Sequence, residues 1–260
     1  MKKKGLSIMI GLAFFFNSCN DDKGGTSENV SLTLTFTHSW AGTEITKEDF
    51  DNIKFTNESG QKLGISRLRY LVSEVRLTHN NGTETVLDGY NLVDVTNQQG
   101  LTFTLSEGII AGNYKDVAFR FGFSDEKNID GAYADLNTAS FNVPGENSAM
   151  NLGGGYHYMQ FDGKYINNQV VESPFNYHMI RAIDMMNNES KDTSFEVGLN
   201  DMSINENTEI VIDMDVSDWF KNPNTWDLNE YNTNLMGNYD AQLLMKQNGA
   251  SVFKLVSVTP

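Results

Sequence analysis

Period-two alternation of apolar and polar residues dominates this chain. In residues 30–38, Val30, Leu32, Leu34 and Phe36 alternate with Ser31, Thr33, Thr35 and Thr37, the pattern of a strand with one buried face. The same reading predicts strands at 67–79, 90–95, 101–105, 114–123, 155–162, 175–181, 194–199, 208–216 and 251–258. Turn signals separate them: Asn57-Glu58-Ser59-Gly60, Gly112-Asn113, Asp162-Gly163 and Asn205-Glu206-Asn207. Asn80-Asn81-Gly82, set between two apolar runs, predicts a hairpin.

Helical periodicity is sparse. Residues 233–247 place Leu235, Met236, Tyr239, Leu243 and Leu244 on one stripe, with Asn248-Gly249 as its C-cap. A short turn is expected to begin at Ser217 as cap. Many short strands with few helices predict an all-β, antiparallel Greek-key β-sandwich with one short C-terminal helix and long loops. Residues 124–154 form the longest irregular stretch.

The first residues obey a different rule. Met1-Lys2-Lys3-Lys4, an apolar run from Leu6 to Phe16 and then Asn17-Ser18-Cys19 have the layout of a signal segment, too short to span a bilayer. Cys19 is the only cysteine and stands in the phase of a lipid acceptor. The expected organisation is a lipoprotein signal at 1–18, a lipidated Cys19 with an acidic, Gly-containing tether through residue 29, and one β domain at 30–260. An acidic cluster directly after the anchor resembles the surface-export signal of Bacteroidetes-like lipoproteins. The expected location is therefore the outer membrane, facing the periplasm or the cell surface, with the membrane touched through the anchor alone.

Removing residues 1–18 takes away three of the 19 basic residues and none of the 34 acidic ones, leaving a formal charge of −18. Such a surface repels phosphate backbones and argues against nucleic acid as partner. Without a second cysteine there is no internal disulfide, so the core, with 16 Phe and 10 Tyr to draw on, must supply the stability.

Four histidines carry the candidate chemistry. His38 falls in phase with Phe36 and is expected to point into the core, where an imidazole must be hydrogen-bonded or metal-bound. His178 lies opposite the face of Phe175, Tyr177 and Met179, His157 shares the phase of Met159 and Phe161, and His79 before its turn is read as exposed. Imidazole and thioether dominate the donors, which favours copper, and Met150, Met159 and Met179 lie near histidines in sequence. Asp125, Asn128 and Asp130 before Gly131 resemble a calcium loop, but without EF-hand spacing, so calcium is the weaker expectation. There is no nucleophile elbow, no His-Glu-x-x-His and no triad, and a binding protein is expected rather than an enzyme. Trp40, Trp219 and Trp226, if exposed, could stack on sugar rings. The rival reading is thus a surface module binding a glycan or a protein without metal.

The ordered segments resemble the MbnP-type copper-binding proteins, the methanobactin-associated periplasmic family. Phe36-Thr37-His38 resembles the family's first strand, and the run from Leu68 through Leu77 fits its pattern L-x-Y-x-[IV]-S-x-[IV]-x-L. Tyr90 to Asp94, Gly112-Asn113-Tyr114 and Phe121-Gly122-Phe123 follow in order. Met150, Gly155-Tyr156 and Phe161-Asp162-Gly163 resemble the next block, and Phe175-Asn176-Tyr177-His178 resembles the strand F-x-[YF]-H. The resemblance implies a β-sandwich outside the cytoplasm, copper binding in some members, and His38 and His178 as matched ligand positions, with Met150 and His157 as additional candidates. It also implies a partner dihaem peroxidase-like enzyme that converts a tryptophan to kynurenine in some members. A TonB-dependent transporter is the other expected partner. Where the family carries Trp after the Met, this chain has Asn151 and Leu152.

Overall fold

The computed structural model describes residues 30–184, 186–187 and 189–260. The expected signal segment, Cys19 and the tether lie outside the described residues. In chain order the strands are β1 (Leu32–Trp40), β2 (Thr43–Glu44), β3 (Phe55–Thr56), β4 (Lys62–His79), β5 (Glu84–Asp94), β6 (Thr102–Leu105) and β7 (Gly112–Phe121). After a five-residue helix, α1 (Ala134–Thr138), come β8 (Met159–Ile166), β9 (Glu172–Met179), β10 (Ala182–Asp184), β11 (Glu189–Lys191) and β12 (Phe195–Gly198). Then follow β13 (Met202–Ile204), β14 (Thr208–Asp215), helix α2 (Tyr239–Gly249) and β15 (Phe253–Thr259).

Two sheets face one another. One runs β15-β14-β1-β2 with β6 also on β1. The other runs β12-β7-β4-β8-β9, with β13 on β7 and β3 and β5 on β4. The all-β sandwich is therefore present. Pairs are antiparallel except β1 with β14, which run parallel from Leu32↔Thr208 to Ser39↔Asp215. That pairing joins opposite ends of the chain and needs a crossover, which the whole second sheet supplies.

The ten predicted strands all appear, with their ends shifted by a few residues. Asn80-Asn81-Gly82 makes the β4–β5 turn, with Gly82 at φ +84° and its N–H donating to the His79 carbonyl at 2.9 Å. Mid-strand in β4, Glu74 takes φ +47°, and the registers with β5 and β7 both slip there. This is a bulge: one extra residue, aimed outward, where its carboxylate meets Arg120.

The space between the sheets is filled by aromatic rings. Phe36 lies edge-on to Tyr70 at 6.0 Å and to Phe119 at 5.7 Å, and Tyr70 stacks on Phe121 at 5.8 Å. Such pairs contribute about 0.5–1.5 kcal/mol each beyond their burial. Trp40, Trp219 and Trp226 are all buried in this layer and its edge, so none is available to stack on a sugar.

The C-terminal helix starts later than the stripe suggested. Leu235–Gly237 form a separate 3-10 turn, and Asn238 caps α2 by accepting from the Ala241 N–H at 3.0 Å. Gly249 is the last helical residue rather than a cap. A Cβ there would meet the Phe195 ring at 2.4 Å. The short turn at Val216–Phe220 is capped by Asp215, which accepts from the Ser217 N–H, and not by Ser217.

Candidate metal centre

Alternation along β4, β8 and β9 sorts the histidines onto two sides of one sheet. Tyr70, Met159 and Met179 stand in register across the three strands, as do Arg69, Gln160 and His178. Neighbours in register point the same way and successive residues point opposite ways. The first set faces the aromatic core and the second the outer face.

His38 belongs to the inner side. It is buried, and its Nε2 lies 3.1 Å from the Tyr70 hydroxyl, so the ring has a partner within the core. Burial holds its pKa down at about 3, which keeps the ring neutral. His178 belongs to the outer side of its sheet, so the two positions matched by resemblance stand in different sheets, with the β4-β8-β9 layer between His178 and the core that holds His38. His79 is half-buried rather than exposed, 3.0 Å from the Thr85 hydroxyl and against the Tyr114 ring.

The residue that joins His178 is His157. Their ring centroids are 5.3 Å apart at 86°. The strand phase assigned to His157 does not hold, because β8 begins only at Met159 and the preceding backbone is irregular. Gly153, Gly154 and Gly155 take φ of +84°, +67° and +80° in succession. A Cβ on Gly155 would sit 2.5 Å from Asn128 Oδ1 and one on Gly154 2.9 Å from the Asp130 carboxyl carbon. The loop can pass only as glycine, and it delivers His157 onto the outer face.

The expected calcium donors are occupied in holding that loop. Asn128 Oδ1 accepts from the Tyr156 N–H at 2.7 Å, Asp130 Oδ1 accepts from the Gly155 N–H at 3.3 Å, and Asp125 pairs with Arg181.

Hydrogen bonds orient both rings and set the tautomer of His157. His157 Nδ1 lies 2.9 Å from the Phe141 carbonyl, which can only accept, so Nδ1 carries the hydrogen and Nε2 presents its lone pair. Gln160 also approaches Nδ1, at 3.3 Å, but its amide is oriented by Arg69 donating to Oε1 and gives a hydrogen to the Ser140 carbonyl. His178 Nε2 lies 2.7 Å from Asp162 Oδ1. Burial acts to raise the Asp162 carboxyl, but hydrogen bonds from His178 and Asn176 and the charge of Arg67 outweigh it and hold the group at about 2. The carboxylate therefore accepts and His178 Nε2 donates. Burial, then the neighbouring His178, holds His157 down at about 3, so its lone pair stays free of protons.

Met236 supplies a third donor. Its Sδ is 3.2 Å from His157 Nε2. The turn that carries it is tied to β9 by Gln242, wholly buried on α2, whose Nε2 donates to the carbonyls of His178 at 2.9 Å and Leu235 at 3.0 Å. Gln242 Oε1 accepts from the Ile180 N–H at 2.8 Å. A cavity of about 490 Å³ opens over this cluster, lined by His178, Met236, Met150, Leu152, Asn176 and Leu235 among others. Met150 is thus at the same cavity, at 60% exposure.

Of the four sequence candidates the structure places His178 and Met150 at one cavity, buries His157 against His178 and Met236, and leaves His38 in the core. Met236 was absorbed into the helical stripe by the sequence reading. The signal that marks it is the turn chemistry of Asn234 and Asn238 on either side, the first at φ +61° and the second a cap.

A family model described as MbnP matches residues 29–237. The chain belongs to the MbnP family. A solved structure, MbnP from Methylosinus trichosporium, is similar to it at 13% identity, covering 76% of this chain and 80% of that one with a TM-score of 0.49. No curated protein matches the chain. In this MbnP-family chain, Asn151 and Leu152 occupy the positions where the resemblance places a tryptophan. Leu152 is buried with Val143 and Ile180 beside Met236.

Proposed function

We propose that this protein is an extracytoplasmic copper-binding protein, anchored through a lipid on Cys19, that takes up or buffers Cu(I) and carries out no catalysis of its own. The observation that carries this reading is the contact of His157 Nε2 with Met236 Sδ at 3.2 Å, with the His178 ring alongside. Two lone pairs of opposite softness aimed at one place have no hydrogen to share, and a soft cation between them relieves that. Imidazoles with thioethers suit Cu(I), whereas Zn(II) and Ca(II) favour sites richer in thiolate or carboxylate. Among the described residues no group of three or more His, Cys, Asp or Glu converges as a metal site, and the further candidate donor beside His157 is the Met236 sulfur.

The surroundings support the reading. Each imidazole has its other nitrogen engaged, His157 by a backbone carbonyl and His178 by a carboxylate, the arrangement that orients metal-binding rings. The burial of the three tryptophans weighs against the glycan-binding alternative. A dihaem enzyme and a TonB-dependent transporter remain the partners proposed from family resemblance, on the outer membrane.

The test is elemental analysis of the chain from Asn20 onward after loading with Cu(I) and removal of excess. One copper retained by the wild type and none by the His157→Ala/His178→Ala double variant is the expected result. A wild type that retains none overturns the reading.

A further inference from the structure

Met150 occupies a position that a buried ligand would not. It lines the cavity that holds His178 and Met236, yet it is 60% exposed, whereas Met236 turns its sulfur inward against His157. An exposed thioether at the rim of an apolar cavity gains little from burial there, but its three rotatable bonds let it reach in or out.

The loop that carries it is fixed at its base and free at its tip. Pro144 O accepts from the N–H groups of Leu152 at 2.8 Å and Gly154 at 3.3 Å, and the Val143 N–H donates to Gly155 O at 2.8 Å. Between these bonds, residues 146–150 are exposed, and Ser148 Oγ bonds only within the tip, to Gly145 O and Met150 O. The tip can therefore shift without disturbing His157, which is held separately from Phe141.

A second opening adjoins the first and shares Leu152 and Gly237 with it. Its rim carries Asp184, Asp240 and Met186, the last 94% exposed. Carboxylates and thioethers thus line the approach in a strongly anionic protein, which draws cations toward the rim.

We propose that Met150 is the exchange residue of the copper site. Its thioether takes Cu(I) from an external donor and hands it to His157, His178 and Met236. This rests on the copper reading above. Each step is a ligand exchange: the bond from Met150 sulfur to Cu(I) forms as a bond to the donor breaks, and the departing ligand recovers its lone pair. No electron moves, and copper stays Cu(I) throughout. A soft, neutral ligand suits this role because it binds Cu(I) without an ionic attraction that would slow release.

The experiment is stopped-flow transfer of Cu(I) from its coloured bicinchoninate complex to the mature protein, wild type beside Met150→Leu, together with equilibrium competition against the same chelator. Met150→Leu keeps the size and apolar character of an exposed side chain, and near-ultraviolet circular dichroism checks its fold. Transfer slowed about tenfold with equilibrium affinity nearly unchanged is the expected result. An unchanged transfer rate overturns the proposal, as does a fall in affinity equal to the fall in rate, which makes Met150 an ordinary ligand. A wild type that draws no copper from the complex overturns the copper reading itself, an outcome separate from both.

Discussion

Gln242 on α2 donates to the carbonyl of His178 on β9 at 2.9 Å, and through it the turn bearing Met236 is held beside the imidazoles. One buried amide makes three bonds there, two from its nitrogen and one to its oxygen. The cluster is thus assembled from a strand, an irregular loop and a turn, with a helix side chain as the common tie.

Gln242→Leu leaves the Ile180 N–H and the carbonyls of His178 and Leu235 without this partner. Each unsatisfied buried group costs about 1–3 kcal/mol, so we expect a loss of roughly 3 kcal/mol in urea unfolding, allowing for partial relaxation. Copper affinity should fall as well, because the Met236 turn is released. A variant with wild-type stability and wild-type affinity would show that this tie is dispensable.

Gly155→Ala tests the loop that delivers His157. The residue sits at φ +80°, and its new Cβ would lie 2.5 Å from Asn128 Oδ1. Left-handed backbone alone costs a non-glycine residue about 1–2 kcal/mol, and the clash adds to that. We expect destabilisation together with weakened copper binding. Gly82→Ala, with nothing within 4 Å of its Cβ, should carry only the backbone cost and leave copper binding intact.

Asp162→Asn probes the orientation of His178. The carboxylate accepts from His178, Asn176 and Arg67, and an amide cannot replace its charge. Losing such a supporting group typically lowers metal affinity by about 10–100-fold. Competition titration with a Cu(I) chelator reads this directly. An affinity equal to that of the wild type would mean that Asp162 serves only the sheet.

His38 gives a pH dependence of stability with a definite sign. Folded, its pKa is held at about 3 by burial; unfolded, it returns to the ordinary 6.5. Between these values the unfolded chain binds the extra proton, so stability falls as pH drops from 6.5 toward 3. At pH 5 this one group costs about 2 kcal/mol relative to pH 8. Urea midpoints at the two pH values should therefore differ less in His38→Gln than in the wild type. Copper retained by His38→Gln would separate this core ring from the metal cluster, and copper lost would return His38 to the site.

Most of the strand layout was legible in the sequence because one face of each strand is buried and the other wet. The run from Val30 to Phe36 shows this in β1, and Asn80-Asn81-Gly82 announces its hairpin through local turn chemistry alone. Two local readings failed for a shared reason. Met236 and Leu235 fit a helical stripe, but Asn238 starts the helix after them. His157 fits the phase of β8, but three left-handed glycines break the register before the strand begins. Alternation describes regular backbone, and His157 and Met236 sit where the backbone is irregular.

By itself the sequence determined the sandwich class, the strand positions and the anionic surface, since each follows from residue type and local spacing. It could not decide which histidines meet. His38 and His178 both belong to strands of correct pattern, yet they fall in different sheets, His38 facing the core between them and His178 the outer side. His157 and Met236 lie 79 residues apart and meet where α2 packs its Gln242 against the end of β9. Which donors share a cavity depends on long-range pairing and on buried hydrogen bonds between distant segments, and only the tertiary structure fixes those.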